Sequence, residues 1–383
     1  MMEIDRTGNV MNYRIFPSVI NSNERMTYTN VNKILTGDAK TQKAYPHLLK
    51  MCLDMKVLAG IIRRRREGLG AIDFDSREAK ILVDEKGKPK DIVLRERGEA
   101  ERIIEDFMIA ANETVATHMK WLETPSMYRI HEAPEPKKMR EFARIAKTLG
   151  YTFKGGIQDV HPKQLQALLD EARGQDNYFV LSSFMLRSMQ KARYDNRCLG
   201  HFGLGLKEYL HFTSPIRRYP DLIVHRMLRK YIFTSSEDVD KMKQDEQWCE
   251  QAAIQASERE RNAVDAERAV DDMKKAEYME NYIGQRFAGV ISGITKFGMF
   301  VELENTVEGL VHIASLQDDY YHYDETTHSL IGEHTAKVYR MGQHVHVKCI
   351  GADRFKREVD FEVLVQKSKK KSPPLKQQKR LAK

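Results

Sequence analysis

Hydrophobic positions change their period along this chain, and the period divides it. Residues 10–22 are rich in Val, Ile, Tyr and Phe and predict one or two strands. Over 38–66 the spacing becomes helical, with Leu48, Cys52, Met55, Ala59 and Ile62 on one face. Residues 69–95 alternate apolar and polar around the turn Glu85-Lys86-Gly87-Lys88, the pattern of a hairpin or meander. A long helix is expected over 98–121, where Ile103, Ile104, Phe107, Met108, Ala111 and Val115 share a face. Further helices are expected near 136–149, 162–173, 180–194 and 219–231.

Residues 238–280 contain no Pro or Gly, and 257–268 within them are charged nearly all round, which predicts a long connecting helix. Gly284 then marks a boundary. Short β segments follow at 286–294, 298–303, 308–312, 344–351 and 359–364. Five strands in that length predict a small barrel of the OB type. The expected divisions are 1–237, a connecting helix 238–281, a barrel domain 282–366 and a basic tail 367–383.

Charge sharpens the last division. The formal net charge is +8, and the tail holds eight Lys/Arg and no Asp/Glu, so the remainder is neutral overall. A disordered basic tail suits a polyanion, and it suits a solubilising end as well. The cysteines Cys52, Cys198, Cys249 and Cys349 are scattered and form no CxxC pair, so they predict neither a zinc site nor a disulfide framework. No apolar run approaches the roughly 20 residues that span a bilayer. The polar start, with Glu3, Asp5 and Arg6, is no signal peptide, so the cytoplasm is the expected compartment.

Candidate chemistry gathers at His211-Phe212-Thr213-Ser214-Pro215-Ile216-Arg217-Arg218-Tyr219-Pro220-Asp221. Hydroxyls, backbone donors and guanidinium forks at a helix entrance make a phosphate site. The same composition is equally that of an ordinary helix start with surface arginines. Arg63 to Arg66 are as open: they complement a helix dipole or contact phosphate. In the barrel region Phe297 and Phe300 flank Gly298 beside Lys296, so the rings stack bases or fill a core. The loop from Asp318 to Tyr323 is aromatic but acidic and reads as packing.

Two resemblances narrow these choices. The series Gly289-Val290-Ile291, Phe297-Gly298-Met299-Phe300-Val301 and Glu308-Gly309-Leu310-Val311-His312 resembles the ribosomal S1-type RNA-binding domain. That resemblance implies that Phe297, Phe300 and His312 face RNA, with Lys296 a phosphate partner. The stretch from His211 to Asp221 looks like the catalytic domain of the RNase II/RNase R exoribonucleases. It is joined by Leu186-Arg187-Ser188-Met189, Gly200-His201-Phe202-Gly203-Leu204 and Ile104-Glu105-Asp106-Phe107. The order of domains is nearest RNase R. What the resemblance implies is processive 3′→5′ hydrolysis of RNA to nucleoside 5′-monophosphates at a magnesium site. Arg217 matches the catalytic arginine on the scissile phosphate. Tyr28 and Glu105 match positions that hold the 3′-terminal nucleotides. Thr213, Ser214 and Arg218 are phosphate ligands in this reading, and His211, Asp221 and His225 are structural.

The resemblance also implies magnesium bound by an aspartate cluster, which the family carries upstream of the region matching Met1. Asp265 and Asp271-Asp272 imitate part of its spacing, but Met273 and Lys274 interrupt it. Asp73, Asp75, Asp318 and Asp319 make no cluster by spacing. The expectation is an α+β chain: an RNB catalytic domain shortened at its N-terminus, then an S1-type five-stranded OB barrel. It is expected to be a monomer that binds single-stranded RNA 3′ ends, touches no membrane and degrades RNA poorly alone. An upstream polypeptide would supply the missing aspartates. The alternative is a non-catalytic RNA-binding protein or broken-gene product.

Overall fold

The computed structural model describes residues 1–74, 78–95, 97–175, 177–234, 238–325 and 327–364. Asp75 and the basic tail 367–383 lie outside the described residues. The chain groups into two units. One is Met1–Leu82 with Ile92–Asp271; the other is Val83–Asp91 with the chain from Asp272 on.

The first unit opens on a two-stranded antiparallel sheet, β1 (Met2–Ile4) and β2 (Val10–Tyr13). The expected strand over 10–22 stops there. Arg14 makes the last ladder bond, to the Met1 carbonyl, and Val19 and Ile20 stand exposed without a partner strand. Helices α1 (Tyr28–Leu35), α2 (Ala39–Ala44) and α3 (Pro46–Leu69) follow. The single helix expected over 38–66 is broken at Pro46, which lacks the N–H to continue α2 and instead starts α3. Helix α1 is only eight residues long and was not expected; Thr27 caps it by accepting from Asn30 N–H at 3.2 Å. The hairpin is shorter than expected, β3 (Glu78–Val83) and β4 (Pro89–Arg95). Residues 71–74 pair with no strand, although Ile72 N–H donates to the Gly203 carbonyl at 2.8 Å.

Helix α4 (Glu99–Trp121) agrees with expectation and packs against α3 and α1. After it come β5 (Tyr128–Ile130), α5 (Pro136–Thr148), α6 (Pro162–Ala172), α7 (Tyr178–Ser188), β6 (Arg193–Asp195), α8 (Tyr219–Met227) with a π-helical extension to Phe233, and α9 (Val239–Met279). One core gathers Val115, Met119, Ile130, Leu210, Ile223, Val224 and Met227 with Cys249, Ala252 and Ala253 of α9. Each fully buried aliphatic or aromatic side chain contributes about 1.5–3 kcal/mol. Helix α9 is therefore not solvated all round: its small residues at 249, 252 and 253 seat it on this core. A second core lies among α5, α6 and α7, built on Met139, Phe142, Leu165, Leu169, Leu181 and Met185.

The second unit is a closed barrel of β7 (Arg286–Thr295), β8 (Gly298–Leu303), β9 (Glu308–His312), β13 (His344–Asp353) and β14 (Glu358–Val363). The five expected strands are these. Between β9 and β13 lies an unexpected three-stranded sheet, β10 (Tyr321–Asp324), β11 (Ser329–Gly332) and β12 (Val338–Arg340). Ile291, Met299, Val301, Val311, Val347, Cys349 and Phe361 fill the barrel.

Candidate active-site turn and nucleic-acid face

Residues 211–218 run from the bridge between Tyr128 and Leu210 into α8, with Arg218 as its N-cap and Pro220 in its first turn. Buried side chains grip this turn from two helices. From α4, Asn112 Oδ1 accepts from the N–H groups of Phe212 (2.9 Å) and Thr213 (3.3 Å), while its Nδ2 donates to Tyr209 Oη at 3.1 Å. From α8, Asp221 Oδ1 accepts from Ser214 N–H (2.8 Å) and from Arg218 Nη2 (2.8 Å). His225 Nε2 donates to the Phe212 carbonyl at 2.9 Å, and its ring stacks on Phe212 at 4.3 Å. The Ser214 carbonyl accepts from Arg217 and Arg218 N–H and closes the turn.

This corrects one expectation. The N–H groups of Thr213 and Ser214 are aimed at protein oxygens, so they are not free donors for phosphate. Thr213 Oγ1 is buried as well, without a partner among the described residues. Arg218 is taken into a buried ion pair with Asp221, whose side chain is fully buried. What the turn offers outward is Arg217, exposed and without a side-chain partner among the described residues, beside the fully exposed Ile216. The Ser214 hydroxyl is half-buried beside it.

Behind the turn lies a layer of rings. His131, His201, Tyr209, His211 and Tyr194 meet edge to face at centroid distances of 5.1, 5.3, 5.7 and 5.7 Å in that order. Burial pushes the His201 imidazole down to about 3 and the His211 imidazole to about 2, with Arg129 repelling both and Arg218 adding to the effect on His211. Both rings are neutral near pH 7, so they support the turn rather than add positive charge. Gly203 N–H donates to His131 Nδ1 at 3.0 Å, which leaves the ring proton on Nε2, donating to the Gln190 carbonyl at 2.8 Å. A side chain at 203 would put its Cβ 2.9 Å from that Nδ1, so this approach needs glycine.

Tyr28 and Glu105 stand on α1 and α4, which are joined through Asn32: its Oδ1 accepts from Ala100 N–H at 2.8 Å and its Nδ2 donates to Glu101 at 3.0 Å. The Tyr28 ring is half-exposed, and Glu105 is paired with Arg97. The arginine run of α3 is largely structural. Arg63 and Arg66 converge on the buried Asp106 at 2.8 and 2.7 Å, and Arg65 forms a two-point pair with Glu113 at 3.0 Å. Sequence reading missed both Asp106 and Asn112. Each is a buried polar residue on the mostly apolar face of an amphipathic helix, and that oddity was the available signal.

In the barrel, Gly298 pairs across the ladder with His312, so His312 and Phe300 lie on one face. Phe297 adds its ring edge-on to Phe300, centroids 6.1 Å apart, and half of it is exposed. A Cβ at 298 would sit 2.2 Å from the Val311 carbonyl, and φ is +153°, so only glycine lets the two strands approach here. His312 is exposed; its Nδ1 accepts from Ala314 N–H at 3.2 Å, which fixes the ring. Lys296 pairs with Glu325 at 2.8 Å, both side chains largely in water, where such a pair is weak enough for phosphate to displace. The structure thus brings Lys296, Phe297, Phe300 and His312 together. Asp318 and Asp319 are engaged internally, by Lys337 and by Thr335 and His334, in line with the packing reading of their loop.

The RNB domain model matches residues 1–234 and the S1 RNA binding domain model matches residues 281–364. The chain belongs to the RNB family. The RNB chain is 46% identical over 364 residues to Ribonuclease R 1 of Lactococcus lactis, covering 95% of itself and 44% of that protein. It is 43% identical to Ribonuclease R of Aquifex aeolicus, covering 51% of that protein. It therefore spans about half the length of the curated relatives it matches. Among solved structures, Mycoplasma genitalium RNase R in complex with ribose methylated single-stranded RNA matches with a TM-score of 0.88 at 29% identity, over 95% of this chain and 57% of that one.

Among the described residues, no three His, Cys, Asp or Glu side chains come together where a metal ion could be held. Asp265, Asp271 and Asp272 lie exposed along α9, and Asp73 is exposed on its own segment. The residues described do not fit a magnesium ion. No helix among them is long and apolar enough to cross a membrane.

Proposed function

We propose that this chain acts on RNA as part of a 3′→5′ exoribonuclease of the RNase R type, which hydrolyses RNA stepwise to nucleoside 5′-monophosphates. The observation that carries the reading is the gripped turn, which spends its backbone donors internally and leaves the Arg217 guanidinium outward. A fixed cation of that kind stabilises charge developing on a phosphate. Tyr28 and Glu105 hold the 3′-terminal nucleotides in this reading, and Glu105 must first leave Arg97. Ser214 contributes its hydroxyl. Arg218 and Thr213 act from behind the turn. In the barrel, Phe297 and Phe300 stack bases while His312 and Lys296 meet backbone and phosphate. The compartment is the cytoplasm and the working form a monomer. Magnesium belongs to the reading through ligands other than those described, such as an upstream polypeptide would bring.

A second reading is a single-stranded RNA-binding protein that hydrolyses nothing by itself. The lack of a carboxylate cluster among the described residues favours it for the chain alone. One experiment separates the two. Purified chain is incubated with 3′-tailed RNA and magnesium, and both retention of RNA and release of mononucleotides are measured. Binding with little or no release is expected. Clean stepwise release would place hydrolysis in this chain, and failure to bind would remove both readings.

A further inference from the structure

We propose that Asn112 and Asp221 are positioning residues for Arg217, which neither touches directly. The inference rests on the reading above, in which Arg217 meets RNA phosphate. Its basis is where these two side chains spend their hydrogen bonds. Asp221 is in the first turn of α8, where a carboxylate ordinarily accepts from the free amides of its own helix. Instead it reaches back seven residues, out of the helix, to Ser214 N–H, and binds the Arg218 guanidinium with the same oxygen. Asn112 lies deep in α4, a position that disfavours asparagine. It reaches across a separation of 100 residues to Phe212 N–H and continues to Thr213 N–H. Three successive amides are thereby fixed from two helices, the last of them three residues before Arg217, which faces outward.

The physical consequence is order before binding. Arg217 sits on a loop whose backbone would otherwise have to be immobilised when phosphate arrives. Anchoring 212–214 and turning 217 and 218 back onto the Ser214 carbonyl removes that requirement. It also directs Arg218 inward and Arg217 outward, so that neighbouring arginines take different tasks.

The test is a double-mutant cycle in the full chain carrying Phe297→Ala and Phe300→Ala, so that the barrel does not mask the turn. Affinity for a fluorescein-labelled single-stranded oligoribonucleotide is read by anisotropy. Arg217→Gln is expected to weaken binding about tenfold, as loss of a charge-assisted phosphate contact does. Asp221→Ala is expected to weaken it to a similar degree, and the double variant to be no weaker than either single. Asp221→Asn, which keeps an acceptor for Ser214 N–H, is expected to recover most of the loss. If Asp221→Ala does not fold, Asn112→Ala takes its place in the same cycle. Full additivity, or a folded Asp221→Ala with unchanged affinity, overturns the positioning role while Arg217 keeps its own. An Arg217→Gln chain that binds as the parent does overturns the reading of Arg217, and the positioning role with it.

Discussion

The turn before α8 and the strand pair β8–β9 present side chains to solvent by opposite means. In the turn, almost every polar group faces inward, and one guanidinium is left outside because two helices hold the backbone beneath it. In the barrel, exposure follows from strand alternation and from one glycine that lets neighbouring strands close. The first arrangement depends on residues distant in sequence; the second is nearly local. Damage should therefore spread differently: remote substitutions should disable the turn, whereas the barrel face should respond mainly to changes within it.

The largest expected effect is remote from both. Replacing Asp106 with Ala leaves Arg66 unpaired and Arg63 with Glu99 alone in a part-buried site and should cost about 3–5 kcal/mol in urea denaturation of the first unit. A loss below about 1 kcal/mol would mean that the arginines simply turn to water. Next is Gly298→Ala, local to the barrel. The new Cβ collides with the Val311 carbonyl at a φ unsuited to alanine, and about 2 kcal/mol or more of barrel stability should go, together with RNA binding by that face. If both survive, the approach of β8 to β9 is not what sets the face. Phe297→Ala should leave folding intact, since the ring is half-exposed, and weaken RNA binding by about 1–3 kcal/mol. Unchanged affinity in an anisotropy titration would make the ring mere cover for Phe300.

The smallest effect near neutrality is the acid response of the turn. His201 and His211 have folded pKa values depressed to about 3 and about 2, against an ordinary value near 6.5. Their contribution to stability is fully present above about pH 6.5. Below that the unfolded chain takes up protons that the folded rings refuse, so stability falls steadily as pH drops toward the folded values. Melting of the first unit should move down between about pH 6.5 and pH 5, and His211→Phe should flatten that slope. A melting temperature independent of pH in that window would remove the neutral ring layer from the account.

Much of the fold was legible in the sequence where hydrophobic period is strong. Helix α4 and the five barrel strands follow their patterns closely, while α9 was legible from its long run without Pro or Gly rather than from period. Short stretches misled: α1 has only eight residues in which a period can show, and Val19 and Ile20 look like strand but have no strand beside them. At the site, the sequence marked the turn and its arginines but could not say which way their donors point. Thr213 and Ser214 appeared as ligand donors because the competing acceptors, Asn112 and Asp221, are supplied by other parts of the fold.

Composition and period, then, determined on their own the helical first part and the β barrel after Gly284, but left Phe297 and Phe300 open between core and surface. Such features depend on neighbours within a few residues, where backbone geometry fixes the spacing. Only the tertiary structure decided that Arg63 and Arg66 serve Asp106, that Arg218 faces in while Arg217 faces out, and that the histidines behind them are neutral. Those outcomes turn on which buried acceptor lies within about 3 Å of which donor, and burial makes each such pairing nearly obligatory.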